Sequence, residues 1–314
     1  MRVSLSVIAL SVLSVASSAA TYPDPINVTG GQGVHDPTIC KDSSGKYFLF
    51  FTGTNIPIRT STDRINWSDA GTVWAPGQPT WTYPYIEANN SHLWAPDCTY
   101  KDGQFHLYYS ASTINQQNSA IFLAKSFTGL PGSWDHQGLI ISSNDNGTYD
   151  YNAIDPNLFI DGDKWWLAFG SYWSGVKLAQ LDPSTGKISG STLYSLATRT
   201  VNEVIEAPTI VKQDQYYYLF TSWGQCCQGT DSTYHIRVGR ATSLTGPYVD
   251  QDGVELTSNG GTTILTAHGS VYGPGGQDIF EDTDSWVINY HYYAPERQLG
   301  INRLNFSSGW PVVY

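Results

Sequence analysis

Three acidic residues stand at matched places along the chain: Asp36 in Asp36-Pro37, Asp155 in Asp155-Pro156, and Glu206 two residues before Pro208. An isolated Asp-Pro pair reads first as a turn opener, because Asp accepts backbone N–H bonds and Pro presets φ. Recurrence changes that reading. Carboxyl groups brought together from separate repeats can divide acid and base work. One stays protonated to donate to a leaving oxygen, and another stays ionised to activate water or attack carbon, which is what cleavage of a glycosidic bond requires. A third carboxylate nearby raises the acid's pKa by like-charge repulsion. Aromatic rings suit sugars, whose C–H faces pack on them, and Trp94 and Trp223 lie close in sequence to the second and fourth repeats. His35, Asn157 and Ser171 flank the same motifs and are further candidate substrate contacts.

The elements that must position these groups repeat as well. Each unit has a small or acidic residue, a proline, a short strand, a polar turn and an aromatic-rich strand. The prolines fall at 37, 96, 156, 208 and 274, spaced by 59, 60, 52 and 66 residues. Tyr47-Phe48-Leu49-Phe50-Phe51, Phe105-His106-Leu107-Tyr108-Tyr109, Trp165-Trp166-Leu167-Ala168-Phe169, Tyr216-Tyr217-Tyr218-Leu219-Phe220 and Trp286-Val287-Ile288-Asn289-Tyr290 are the five aromatic strands. A period of about 55 residues accommodates a four-stranded antiparallel sheet with its loops, and five such sheets set radially make a five-bladed β-propeller. A β-sandwich is the competing all-β arrangement, and the long regular period argues against it. Helical periodicity is almost absent. In a propeller the first strand of each blade lines the axis, so the residues before the prolines converge at one mouth.

Composition agrees with such a protein. The chain has 314 residues with 11 Trp, 21 Tyr and 11 Phe, and its formal charge is −11. An acidic chain of this kind does not neutralise phosphates, which argues against a nucleic-acid partner. A hydrophobic content of 40% argues against disorder. Arg2, the apolar run Val3 to Val15 and Ser18-Ala19-Ala20 read as a secretory signal peptide over residues 1–20, too short to span a bilayer. Residues 21–314 read as one catalytic domain, secreted and extracellular, with no membrane partner and no sign of an obligate oligomer, so a monomer is expected. Five N-x-S/T sequons, at Asn27, Asn66, Asn89, Asn146 and Asn305, fit a glycoprotein. Four cysteines allow three pairings. Cys40 and Cys98 hold similar positions in neighbouring repeats and are one candidate pair; Cys226-Cys227 is a candidate vicinal disulfide.

Val34-His35-Asp36-Pro37, Leu93-Trp94-Ala95-Pro96-Asp97, Ala153-Ile154-Asp155-Pro156 and Ile205-Glu206-Ala207-Pro208 resemble the motifs of glycoside hydrolase family 43. So do Ser222 to Gly229 with Ser232-Thr233-Tyr234, the stretch His268 to Gly276, and the ending Leu299 to Pro311. The likeness is greatest to the secreted fungal endo-1,5-α-L-arabinanases. It implies an inverting mechanism on linear arabinan, with Asp36 as general base, Glu206 as general acid and Asp155 as the residue that tunes and orients the acid. It also implies one calcium or sodium ion in the central channel, with His268 as the best match for its protein ligand and His291 as the alternative; no organic cofactor is implied. Two other activities compete: an exo-acting α-L-arabinofuranosidase or β-xylosidase, and a propeller lectin without catalysis. The chain ends soon after the fifth repeat, which predicts an open groove and internal cleavage. Carboxylates in only three of the five repeats argue for one active site rather than a lectin.

Overall fold

The computed structural model describes residues 22–86, 90–199 and 204–314. The segment read as a signal peptide and the Asn89 sequon lie outside the described residues. Five antiparallel sheets follow one another along the chain. The first holds β1 (Thr38–Lys41) and β2 (Tyr47–Phe50); β3 (Gly53–Thr54) crosses to the edge of the next sheet, and β4 (Pro57–Ser61) and β5 (Ser68–Thr72) complete the first. The second holds β6 (His92–Lys101), β7 (Gln104–Ala111), β8 (Ser119–Ser126) and β9 (Trp134–Ser143). The third holds β10 (Asn157–Asp161), β11 (Lys164–Phe169), β12 (Val176–Asp182) and β13 (Lys187–Ala197). The fourth holds β14 (Ile205–Gln213), β15 (Tyr216–Trp223), β16 (His235–Ala241) and β17 (Thr262–Leu265). The fifth holds β18 (Tyr272–Glu281), β19 (Trp286–Tyr293), β20 (Arg297–Asn305) and β21 (Val312–Val313). The protein is a five-bladed β-propeller, and the repeats read from the sequence are its blades.

The aromatic strands are the second strand of each blade and are apolar on both faces because a blade lies against each. Side chains alternate across a strand, so Phe48 and Phe50 of β2 pack on Phe105 and Leu107 of the second blade. Tyr47 and Leu49 pack on Val287 and Ile301 of the fifth. Three further apolar clusters fill the other blade interfaces in the same way. The hydrophobic core is therefore five inter-blade layers. The ring closes through the segment before β1: Ile26 N–H donates to Ile301 O (2.9 Å), and Thr29 N–H donates to Ile65 O (2.9 Å), tying the fifth blade to the first.

A polar belt runs inside these layers. The residue after the proline in each of the first four blades, and Asp278 in the fifth, reaches to the neighbouring inner strand. Asp278 Oδ2 accepts from Thr38 Oγ1 (2.8 Å) and Ile39 N–H (3.3 Å). Thr38 Oγ1 accepts from Cys98 N–H (3.1 Å), and Asp97 Oδ2 accepts from Leu158 N–H (2.8 Å). Asn157 Oδ1 accepts from Ile210 N–H (2.9 Å), and Thr209 Oγ1 donates to Gln277 O (2.9 Å). The Ile39, Cys98, Leu158 and Ile210 N–H groups and the Gln277 carbonyl are thus paired across blade boundaries. A disulfide joins Cys40 of the first blade to Cys98 of the second, and a second one joins Cys226 to Cys227.

Candidate active site

The turn before each inner strand puts the carboxylates at the axis. Asp36, Ala95, Asp155 and Ala207, the residues before the first four prolines, have φ of 44°, 41°, 57° and 50°, and Gly276, which holds the same place in the fifth blade, has φ of 58°. Left-handed backbone in non-glycine residues is costly and persists where surrounding contacts enforce it. Hydroxyl groups at the ends of the second strands supply those contacts. Thr52 Oγ1 accepts from Ala95 N–H (2.7 Å), Ser110 Oγ from Asp155 N–H (3.1 Å) and Ser222 Oγ from Gly276 N–H (2.9 Å). In the fifth blade His291 takes the corresponding place, and its Nδ1 accepts from Asp36 N–H (3.2 Å). In β14 the pairing slips between Glu206, opposite Ser222, and Thr209, opposite Phe220. This bulge re-aims Glu206 toward the axis. It explains why the acidic residue here stands two places before the proline.

Asp36, Asp155 and Glu206 meet in one buried electrostatic cluster. Asp36 Oδ2 accepts from Thr52 Oγ1 (2.7 Å); His291 Nδ1 lies 3.3 Å from Asp36 Oδ1, and His35 Nδ1 lies 3.6 Å from Asp36 Oδ2. Burial works against ionisation of Asp36, but the neighbouring His35 and His291 rings and the Thr52 bond outweigh it and hold the carboxyl well below its ordinary range. Burial pushes His35 down to about 3 in spite of Asp36, so this ring is neutral near pH 5–7. The Thr52 bond to Asp36 is therefore the durable part of its stabilisation.

Glu206 is the opposite case. Burial, reinforced by the charge of Asp36, raises its pKa. Ser171 Oγ donates to Glu206 Oε2 (2.6 Å) and Tyr234 Oη donates to Oε1 (2.7 Å), which temper the rise. Asp155 is raised well above the ordinary value, by burial first and then by Glu206 and Asp36. Its Oδ2 accepts from Ala207 N–H (3.0 Å), gripping the turn that carries Glu206. Asp155 and Glu206 titrate as a pair, the second to ionise doing so against the first's charge. Gly276 (φ 58°) closes the wall: a Cβ there would lie 2.5 Å from Asp36 Oδ1 and 2.8 Å from His291 Nδ1.

The other residues singled out in the sequence fall in different places. His35 is beside Asp36. Ser171 bonds Glu206. Trp94 is half-buried, with its Nε1 donating to His92 Nδ1 (3.0 Å). Trp223 does not face the mouth: it is 1% exposed, and the Arg199 and Arg237 guanidiniums cover its ring at 3.7 and 4.2 Å from the centroid. A ring so covered offers no face to a sugar. Asn157 lines the channel, but its amide is engaged in the belt, donating to Asp97 Oδ1 (2.9 Å) and accepting from Ile210 N–H. His268 is not beside the carboxylates. Its Nδ1 is 2.8 Å from Thr266 O and its Nε2 is 3.0 Å from Pro23 O, in the connection between β17 and β18. His291 is the histidine at Asp36, with no solvent exposure. Thr52, Tyr234, Ser110 and Gly276 escaped the sequence reading. Only the hydroxyl ending each aromatic strand, as in Phe51-Thr52 and Tyr109-Ser110, could have signalled the first and third.

Asn157→Ala is expected to cost about 1–3 kcal/mol, because it leaves the buried Ile210 N–H without an acceptor. Calorimetry should show a lower Tm with KM unchanged; a raised KM at unchanged Tm would place Asn157 on the substrate instead. Tyr234→Phe removes a donor that stabilises the Glu206 carboxylate. The pKa of Glu206 then rises, and the alkaline limb of the kcat/KM profile should move to higher pH.

A family model, Glycosyl hydrolases family 43, matches residues 26–311. The chain belongs to glycoside hydrolase family 43. It is 42% identical to the extracellular endo-α-(1→5)-L-arabinanase 1 of Bacillus subtilis, over 88% of this chain and 87% of that protein. It is 41% identical to arabinan endo-1,5-α-L-arabinosidase A of Aspergillus aculeatus, over 97% of this chain and 98% of that protein. The crystal structure of an exo-1,5-α-L-arabinanase from a bovine ruminal metagenomic library superposes with a TM-score of 0.83 at 34% identity, covering 95% of this chain and 99% of that one. This family 43 glycoside hydrolase therefore carries its buried carboxylates at the axis of a fold shared with arabinan-cleaving enzymes.

Proposed function

We propose that this glycoside hydrolase is a secreted endo-1,5-α-L-arabinanase that cleaves linear arabinan with inversion. The observation that carries the reading is the opposite tuning of two carboxyls in one mouth: the surroundings lower the pKa of Asp36 and raise that of Glu206. Asp36 takes a proton from a water, whose oxygen attacks the anomeric carbon of an arabinofuranosyl unit. Glu206 gives its proton to the departing glycosidic oxygen as the C–O bond breaks on the opposite face. Asp155 grips the turn at Ala207 and so orients Glu206. Thr52 and Ser171 fix the base and the acid in rotamers that serve these roles.

A hard cation fits the channel beneath. The cavity there, about 30 Å³, has Asp36, Asp97, Asp155 and Asp278 in its wall and no basic residue. Burial first, and then the nearby Asp278, push Asp97 up to about 8, and a cation beside these carboxyls would favour their ionised forms. A calcium or sodium ion prefers such oxygen ligands. Asp36 with His291 behind it would border the ion, which would supply positive charge that steadies the carboxylates.

Digestion of debranched linear arabinan, with products followed by size, tests the function. A ladder of oligosaccharides early in the reaction, with viscosity falling faster than reducing ends rise, is expected. Arabinose alone from the start would assign exo action, the activity of the ruminal neighbour. No product from arabinan or xylan would leave a sugar-binding propeller without catalysis.

A further inference from the structure

Beside the carboxylates, against the two histidines that flank Asp36, lies a cysteine pair that the hydrolytic chemistry does not use. Cys226 and Cys227 follow β15 and stand against His35. His35 Nε2 is 3.3 Å from Cys226 Sγ and 3.6 Å from Cys227 Sγ. His291 Nε2 is 3.7 Å from Cys226 Sγ, and the Tyr293 hydroxyl is 3.9 Å from it. Cys227 is exposed, whereas Cys40 and Cys98 of the other disulfide are buried.

We propose that Cys226, Cys227 and His35 form a binding site for a soft divalent cation, with zinc as its type, which opens when the Cys226–Cys227 bond is reduced. The spacing suits a tetrahedral ion. Bonds of ~2.3 Å to sulfur and ~2.0 Å to nitrogen make S–N edges of about 3.5 Å, and the three S–N separations here bracket that length. Two thiolates and an imidazole are a donor set that selects soft or borderline ions over calcium. The fourth position faces His291 and Tyr293. Reduction needs a thiol or phosphine reductant: a dithiol gives two electrons and two protons to the S–S bond and itself becomes a disulfide. On metal binding both new thiols release their protons to solvent. His35 also touches Asp36 (3.6 Å), so an ion held there draws the ring toward the sulfurs and places charge beside the general base. The site is separate from the oxygen-lined channel, and its metal chemistry does not depend on which polysaccharide is cut.

The test uses cobalt(II), whose spectrum reports its ligands. The whole protein is titrated with Co²⁺ before and after treatment with a phosphine, which gives its electron pair to the S–S bond and becomes the phosphine oxide as water supplies the oxygen and the two thiol protons. Free thiols are counted in parallel. Reduction is expected to expose two thiols per chain, and the reduced protein to bind one Co²⁺ with a thiolate-to-cobalt charge-transfer band and intense tetrahedral visible bands. The oxidised protein and the Cys226→Ser/Cys227→Ser variant should show neither. Because the same wild-type chain is compared in two redox states, the result does not rest on the variant's folding. No thiols released by the phosphine, no cobalt bound after two thiols appear, or equal binding by the double variant would each overturn the proposal. Loss of arabinan hydrolysis in the reduced protein on adding zinc, with recovery on chelation, is the expected functional consequence. Failure of arabinan cleavage by the oxidised enzyme would bear on the proposed function and leave the cobalt result standing.

Discussion

Glu206→Gln is expected to lower kcat on linear arabinan by about 10²–10⁴-fold, the usual contribution of a general acid, while affinity for arabino-oligosaccharides changes little. Glutamine keeps the side chain's size; its Oε1 can accept from one of the Ser171 and Tyr234 hydroxyls and its Nε2 can donate to the other, so the mouth retains its shape. What is lost is the proton. A substrate with a nitrophenolate leaving group needs little protonation and should lose far less rate than arabinan. The pH profile carries a second signature. In the proposed mechanism Glu206 acts protonated, and burial raises its pKa, so the alkaline limb of kcat/KM is expected above the ordinary glutamate range. That limb should vanish in the variant. Steady-state kinetics on both substrates across pH would check it, and near-wild-type turnover of arabinan would remove Glu206 from the role of acid.

Asp36→Asn is expected to cost a comparable factor in kcat, about 10²–10⁴, but with a different pattern. Loss of the base removes activation of water whatever the leaving group, so arabinan and the nitrophenyl substrate should fall together. With Asp36 as the proposed base, the acid limb of the wild-type profile is expected below the ordinary aspartate range, because the His35, His291 and Thr52 contacts favour its ionised form. Replacing the carboxylate also removes the charge that helps hold Glu206 protonated. Any residual activity should therefore show its alkaline limb at lower pH than wild type. Retention of the nitrophenyl rate by this variant would contradict the assignment of Asp36 as base.

Both variants probe groups that the repeat pattern had already brought together, whereas the ring assigned to sugar stacking shows where such reading stops. Trp223 ends an aromatic strand and has the right residue type, yet Arg199 and Arg237 sandwich it. Those arginines are 24 and 14 residues away in sequence, and no local pattern predicts that their side chains converge on one ring. Histidine placement followed the same logic. His268 sits in a stretch resembling family 43, but the chain turns it toward Pro23. His291 reaches Asp36 because the last blade closes on the first, bringing together residues 255 positions apart.

The sequence alone determined the number of blades, their inner strands and the three carboxylates, because these depend on a local rule repeated along the chain. In the first four blades a left-handed residue before proline turns the chain into a strand, and in all five an aromatic strand buried on both faces follows. Tertiary structure decided which carboxyl's pKa is lowered and which is raised. That division depends on burial, on Thr52 and His291 around Asp36, and on Ser171 and Tyr234 around Glu206. Each partner comes from another strand or blade. A pKa is set by everything within a few ångströms, and at the axis of a propeller that neighbourhood is gathered from the whole chain.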